Sequence, residues 1–233
     1  MTFDPPLVPA RLQQRYKRFF ADMALAEGGT VTAHCPNPGA MLGLLQPGAV
    51  CWLSPSTNPK RKLAWTWELV EADGTLVGIN TGRPNALVER AVRDGAIVEL
   101  AGYDHRRREV RYGKNSRIDL LLASGSRPDC YVEVKNVHLR RQPGLAEFPD
   151  SVTARGAKHL DELAAVAAAG HRAVMCFLIQ RDDCDRLAIA SDIDPAYAAA
   201  LARATKAGVE VIAYRCHIDS QAIAVRRPVA VVL

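Results

Sequence analysis

Three charged residues interrupt the apolar stretch SRIDLLLASGSRPDCYVEVKNV, residues 116–137: Asp119, Glu133 and, two places further on, Lys135. Ile, Leu, Val and Tyr dominate both halves, and Gly-Ser-Arg-Pro lies between them. That composition predicts strand, turn, strand, most simply an antiparallel hairpin. With the tip centred on Ser126, Asp119 falls opposite Glu133, Leu120 opposite Val132 and Ile118 opposite Val134. Side chains alternate along each strand. Ile118, Leu120, Leu122, Val132 and Val134 then share an apolar face, and Asp119, Glu133 and Lys135 share the other.

Carboxylates facing each other across a ladder repel. A divalent cation removes that repulsion, and Mg²⁺ favours one or two carboxylates plus water and substrate phosphates. An ammonium beside a metal-bound water can orient it or stabilise charge building on phosphate. The pattern therefore suits metal-assisted phosphodiester hydrolysis. Spacing alone serves equally well a solvent-facing sheet edge with an ordinary Glu-Lys pair, because acid-x-Lys is short and common.

The surroundings bear on that choice. The chain of 233 residues is 48% hydrophobic and 24% charged, the balance of a water-soluble globular protein, with net charge +5. Residues 105–141 carry ten basic and four acidic side chains, a net +6 that exceeds the whole chain and brackets the acid pair. A basic surface around carboxylates fits a phosphate-backbone substrate. Two further basic groups are candidate phosphate contacts: Lys60, Arg61 and Lys62 in a loop, and Arg155, Lys158 and His159 at helical spacing. The six cysteines form no Cys-x-x-Cys and no zinc pattern. The N-terminus lacks a signal-peptide h-region, and no apolar run reaches membrane-spanning length. A cytoplasmic chain with reduced thiols and no membrane is expected, and a homodimer is compatible with these features.

The elements that must position these residues divide near residue 80. Residues 11–80 read as short strands with dense turns, suggesting a small barrel; RLQQRYKRFFADMALAEG fits either strand or helix turn. In KLAWTWEL, Trp65 and Trp67 alternate with polar residues, which fits core packing better than a platform for stacking bases. Beyond residue 80, NALVERAVRDG predicts a helix capped by Asn85, and IVELAGY and RREVRYG predict strands. After the hairpin, PDSVTARGAKHLDELAAVAAAG predicts a helix capped by Asp150 or Ser151, with Leu160, Leu163 and Ala167 inward. HRAVMCFLIQR predicts a buried strand, DPAYAAALARATKAG a helix, and VEVIAYRCHI a last strand, giving an α/β (α+β) layer fold. Asn37 and Asn80 fit turn geometry, and the histidines at 34, 138 and 217 carry no assigned chemistry.

The segments HCPNPGAMLGLL, SPSTNPKRKLAWTWELVE, TGRPN, YGKNSRIDLLL, YVEVKNVHL, FPDSVTARGAKHLDELA and DIDPAYAAAL closely resemble the sugar fermentation stimulation protein A family, over residues 11–218. The resemblance implies an OB-like β-barrel, taken as residues 1–80 and as the nucleic-acid-binding domain. A PD-(D/E)xK restriction-endonuclease-like domain follows, taken as residues 81–233. It implies DNA binding and a regulatory role in sugar (maltose) metabolism. The endonuclease pattern maps onto Glu89 on the first helix, Asp119, Glu133 and Lys135, with Gln180 as the polar residue after the next strand. Ile118 replaces the usual proline before the strand acid.

Three functions follow as expectations. The first is a Mg²⁺- or Mn²⁺-dependent nuclease with Asp119 and Glu133 as metal ligands, Glu89 assisting and Lys135 acting on the water. The second is a DNA-binding regulator, largely nonspecific, whose cleft does not cut; no helix-turn-helix is present to read an operator. The third is a small-molecule phosphohydrolase, which the broad basic window disfavours.

Overall fold

The computed structural model describes residues 1–113 and 116–232, so Lys114 of the basic window lies outside the described residues. The first half is a barrel of β1 (Val8–Tyr16), β2 (Phe20–Leu25), β3 (Thr30–His34), β4 (Val50–Pro55) and β5 (Trp65–Ala72), with β6 (Thr75–Gly78) added beyond β5. RLQQRYKRFFADMALAEG is thus a hairpin, and its period-two burial shows why: Ala10 and Leu12 face inward while Arg11 and Gln13 are exposed. The sheet runs β3-β2-β1-β4-β5, and a parallel pairing of β3 with β5 closes the ring. Closure removes the open edges. This is a five-stranded OB-type barrel.

Met23, Leu53 and Trp67 fill the barrel. Trp67 is fully buried and donates its indole N–H to the Leu69 carbonyl at 2.8 Å. Core packing, not base stacking, is therefore its part. Glu68 beside it is also buried, in a cluster of Arg83 (2.6 Å), Ser54 (2.8 Å) and Asn80 (2.8 Å).

The second half begins with α1 (Pro84–Arg93) and contains β7 (His105–Tyr112), β8 (Ser116–Ser124), β9 (Arg127–Val137), β10 (Leu139–Gln142), β11 (Gly144–Phe148), α2 (Ala154–Ala168), β12 (Arg172–Ile179), β13 (Cys184–Ile189), α3 (Pro195–Lys206), β14 (Glu210–Ile218), β15 (Ile223–Pro228) and β16 (Ala230–Val232). A six-stranded mixed sheet has the order β15-β14-β12-β9-β8-β7. Its strands β9, β12 and β14 are mutually parallel, while β7, β8 and β15 pair antiparallel. Helix α1 covers one face through Leu87, Val88, Ala91 and Val92. Helices α2 and α3 cover the other through Leu160, Leu163, Tyr197 and Leu201. Each buried Leu or Val contributes about 1.5–3 kcal/mol.

The hairpin forms, and Leu120 pairs with Val132 as a centre at Ser126 requires. The register shifts beyond Leu122, so that Ser124 pairs with Arg127. The ladder does not pair Asp119 with Glu133 or Ile118 with Val134: the Asp119 carboxylate accepts from the Val134 N–H instead. Several expectations need correction. Ile118 packs in the α2-side core with Leu121, not with Leu120 and Val132, since both sheet faces are covered and either one can bury an apolar side chain. IVELAGY is not a strand; it holds a 3-10 turn at Val98–Leu100. Asn85 does not cap α1; Arg83 occupies that position without a side-chain bond, and Pro84 starts the helix. The cap of α2 is Thr153, whose hydroxyl accepts from the Gly156 N–H, and not Asp150 or Ser151. A four-stranded sheet, β10-β11-β13-β16, escaped the sequence reading. The chain start also crosses over: Thr2 bridges to Ala222 and Phe3 lies in the α1-side core, so residues 1–3 pack with the second half.

Candidate metal and nucleic-acid site

Strand β9 lies in the middle of the mixed sheet, between β12 and β8. Helix α2 covers the face that carries its acid, and Glu133 is only 2% exposed. The solvent-facing reading of the acid-x-Lys pattern is excluded. Glu133 and Lys135 project on the face covered by α2, toward the N-terminal end of that helix. Lys135 Nζ lies 2.6 Å from Glu133 Oε1. His159 of α2 contacts the same oxygen through Nδ1. Glu133 Oε2 is buried and has no hydrogen-bond partner.

Asp119 comes in from β8. Its Oδ2 accepts from the Val134 N–H at 2.7 Å, so a side chain stands where a ladder carbonyl would. Its Oδ1 accepts from Asn85 Nδ2 at 2.8 Å. Burial, then the charge of Glu133, push the Asp119 carboxyl from 3.8 to about 6; the Val134 N–H, Lys135 and Asn85 offset this only in part. Burial also acts to raise Glu133, but the His159 hydrogen bond and the Lys135 charge outweigh it and hold that carboxyl below its usual range. Two neighbouring acids are thus driven apart, one kept ionised and one resisting ionisation.

These groups line a cleft of about 760 Å³ whose other wall is the barrel. Arg15 and Arg18 come from the β1–β2 hairpin, Asn37 to Ala40 from the loop after β3, and Arg155 from α2. The barrel loop is seated on the second half by Asp150, which accepts from the Met41 N–H at 2.9 Å and lies 3.3 Å from His138 Nε2. Burial acts to raise Asp150, yet His138, the Met41 N–H and the Ser151 hydroxyl together lower it to about 2. Gly39 passes so close that a Cβ there would sit 2.5 Å from Asp150 Oδ2. Arg15 Nη2 donates to the carbonyls of Asn37 (2.7 Å) and Gly39 (3.0 Å).

Family models match both halves. Residues 14–79 match the SfsA N-terminal OB domain, and residues 82–222 match the sugar fermentation stimulation protein RE domain. This chain belongs to the sugar fermentation stimulation protein family. Sugar fermentation stimulation protein homologs of Maricaulis maris and Rhodospirillum centenum are 59% and 60% identical to it, covering 100% and 97% of this chain and 99% and 97% of theirs. The solved structure of Pyrococcus furiosus SfsA in complex with Ca²⁺ is 26% identical, with a TM-score of 0.90 over 100% of both chains.

In this family member the residues singled out from sequence fall in different places. Asp119, Glu133, Lys135, Arg155 and His159 line the cleft. Glu89 does not; it pairs with Arg108 at 3.2 Å and lines a separate hollow with Arg93 and Arg106. One turn earlier on the same helix face, Asn85 takes the position beside Asp119. His159 is buried against Glu133 and is not a surface phosphate contact, whereas Arg155 is exposed. Lys158 points to Glu162 at 3.7 Å, outside the cleft. Gln180 backs the cleft from behind, donating to Asn136 Oδ1 at 2.6 Å. Lys60, Arg61 and Lys62 are exposed on the β4–β5 loop and do not line the cleft; Arg61 bonds Thr66 Oγ1 at 3.0 Å.

The sequence reading missed Asn85, His138 and Asp150 as site residues. For His159 a signal existed: with Gly156, Leu160 and Leu163 it sits at the three- and four-residue spacing of the inward face. Among the described residues no group of three or more His, Cys, Asp or Glu side chains is arranged to hold a metal. Two carboxylates are what the site offers, and that suits a hard cation that keeps several waters. The unpartnered, buried Glu133 Oε2 fits such an ion.

Proposed function

We propose that this protein binds DNA, largely without sequence preference, in the cleft between barrel and mixed sheet, and hydrolyses phosphodiester bonds there with Mg²⁺ or Mn²⁺. The observation that carries the proposal is half-buried Asp119 beside buried Glu133, with one Glu133 carboxylate oxygen unpartnered, at the floor of a cleft rimmed by Arg15, Arg18 and Arg155. The Ca²⁺ complex of the Pyrococcus furiosus relative supports a divalent site in this fold. Asp119 and Glu133 would hold the ion, which when bound supplies Lewis acidity and a more acidic water.

The chain's own residues divide the remaining work. Lys135 lies 2.6 Å from Glu133 Oε1 and is placed to orient a water or to stabilise charge on phosphate. His159 fixes Glu133 from the opposite side of the same oxygen, so the second oxygen stays free. Asn85 and the Val134 N–H hold both oxygens of Asp119 and set its orientation. The rim arginines bind the backbone of the polymer. The barrel, residues 1–80, and the mixed-sheet domain, residues 81–233, each supply one wall. We place the protein in the cytoplasm, where its six free and buried thiols stay reduced. No helix among the described residues is long and apolar enough to cross a membrane.

The second reading is a DNA-binding regulator whose cleft does not cut. It is favoured by the arrangement at Glu133 Oε1, which Lys135 and His159 already occupy. Incubating DNA with Mn²⁺, with and without chelator, separates the two. Hydrolysis requires cleavage that disappears with chelator and in Asp119→Ala; cleavage that survives Asp119→Ala refutes the assigned site.

A further inference from the structure

The β1–β2 hairpin that sends Arg15 and Arg18 into the cleft also carries exposed aromatic side chains. The large hydrophobic residues left exposed include Tyr16 (36%), Phe19 (44%), Leu42 (45%) and Val152 (75%). Val152 lines the cleft; Tyr16 and Phe19 flank the lining residues Arg15 and Arg18, and Leu42 follows two places after Ala40. Trp67 is in the core and Trp65 is half-buried, as the alternation in KLAWTWEL predicted, so neither offers a free face. The exposed rings lie on the β1–β2 hairpin instead.

That hairpin is built in an uncommon way. Tyr16 pairs with Phe20, leaving a loop of Lys17, Arg18 and Phe19. Lys17 and Arg18 have φ of 46° and 61°, a conformation that favours glycine or asparagine. Backbone strain of this kind gathers at functional sites. Its effect here is to present two exposed cations and an exposed ring together. Each ring is backed by another: Tyr16 stacks on Phe20 with centroids 5.6 Å apart, and Phe19 on His34 at 6.4 Å. Arg15 ties the tip to the cleft wall, donating to Arg18 O at 3.0 Å through Nε and to Asn37 O and Gly39 O through Nη2.

Cations alternating with rigid aromatic faces are the elements of single-strand recognition: guanidinium and ammonium groups track the backbone while bases stack on rings. In a duplex the base faces are not available to such rings. We infer that the cleft takes single-stranded DNA that continues onto the β1–β2 hairpin, with Tyr16 and Phe19 stacking bases there and Arg15, Lys17 and Arg18 holding the adjoining phosphates. The inference rests on the DNA reading of the cleft given above, but not on cleavage.

The test compares binding of a labelled single-stranded oligodeoxynucleotide with the same sequence as a blunt duplex, by fluorescence anisotropy in EDTA at one salt concentration. Combined Tyr16→Ala and Phe19→Ala should weaken single-strand binding about tenfold or more and change duplex binding less than about twofold. Phe19→Trp should retain affinity, and its added emission should be quenched saturably by single strands and not by duplex. This readout stands even if the double variant folds poorly. Equal losses on both substrates, no loss on single strands, or an unresponsive Phe19→Trp emission would each overturn the inference. The failures separate cleanly. Ring-dependent single-strand binding without metal-dependent cleavage removes the nuclease reading alone. Cleavage that requires Asp119, with ring-independent binding, removes this inference alone.

Discussion

Replacing Asp119 with asparagine should stabilise the metal-free protein at neutral and alkaline pH. The half-buried carboxyl is pushed up from 3.8 to about 6, chiefly because partial burial and the Glu133 charge oppose its negative form. A raised acid contributes stability that is fully present below its ordinary pKa and lost as pH rises through the folded value. The window here is pH 4 to 6, and the loss above it is about 3 kcal/mol, at 1.36 kcal/mol per unit. Asparagine removes that cost. Its amide also faces one of two donors, Asn85 Nδ2 or the Val134 N–H, where the carboxylate accepted from both. Such a mismatch costs about 1–2 kcal/mol. The net gain at pH 8 is about 1–2 kcal/mol, or roughly 3–6 °C in Tm for a chain of this size. The assay is thermal unfolding of wild type and Asp119→Asn in EDTA at pH 4.5 and pH 8. The variant should melt higher at pH 8 and lose that advantage at pH 4.5. Saturating Mn²⁺ should then raise the wild-type Tm and leave the variant unmoved, since ligand binding stabilises only the form that binds. A variant less stable than wild type by the same amount at both pH values would refute the reasoning.

Gly39→Ala should destabilise the protein by about 1–3 kcal/mol in urea unfolding, because its Cβ meets Asp150 while Asp150 is held by Met41 and His138. Arg83→Ala removes the cation from buried Glu68 and should cost about 3 kcal/mol; the Arg83→Ala, Glu68→Gln pair should recover part of it. DNA affinity should fall linearly in log–log form with salt, and Arg18→Ala together with Arg155→Ala should flatten the slope by about two phosphate contacts.

The core of the candidate site was legible because β-strand periodicity is short and strict. An apolar hairpin with one turn brings Asp119 beside Glu133 and Lys135 before any coordinates exist. The alternation assumed for Ile118 and Asp119 does not hold, and Asp119 meets the Val134 N–H instead of facing Glu133 across the ladder. The supporting residues were not legible, for a different reason. Asn85 has the residue type of a helix cap, although Pro84 before it marks the true first position, and only the approach of β8 makes it a partner for Asp119. Asp150 likewise fits a cap locally, and its bond to Met41 spans 109 positions of chain. His159 looked like part of a basic surface patch because Arg155 and Lys158 flank it, although the inward spacing with Leu160 and Leu163 was present. The sheet of β10, β11, β13 and β16 was missed because its strands are short and broken by charges such as Arg141, Glu147 and Arg186. Glu89 shows the limit of pattern transfer. Its helix is right and its place on the helix is one turn from the acid it was expected to join.

The most direct measurement is anomalous scattering from crystals soaked in Mn²⁺. A single strong peak within coordination distance of both Asp119 and Glu133 Oε2, absent from Glu133→Ala crystals, is the predicted result. A cleft without a peak at saturating Mn²⁺, or a peak held by other residues, would contradict the assignment of these two acids as a metal site.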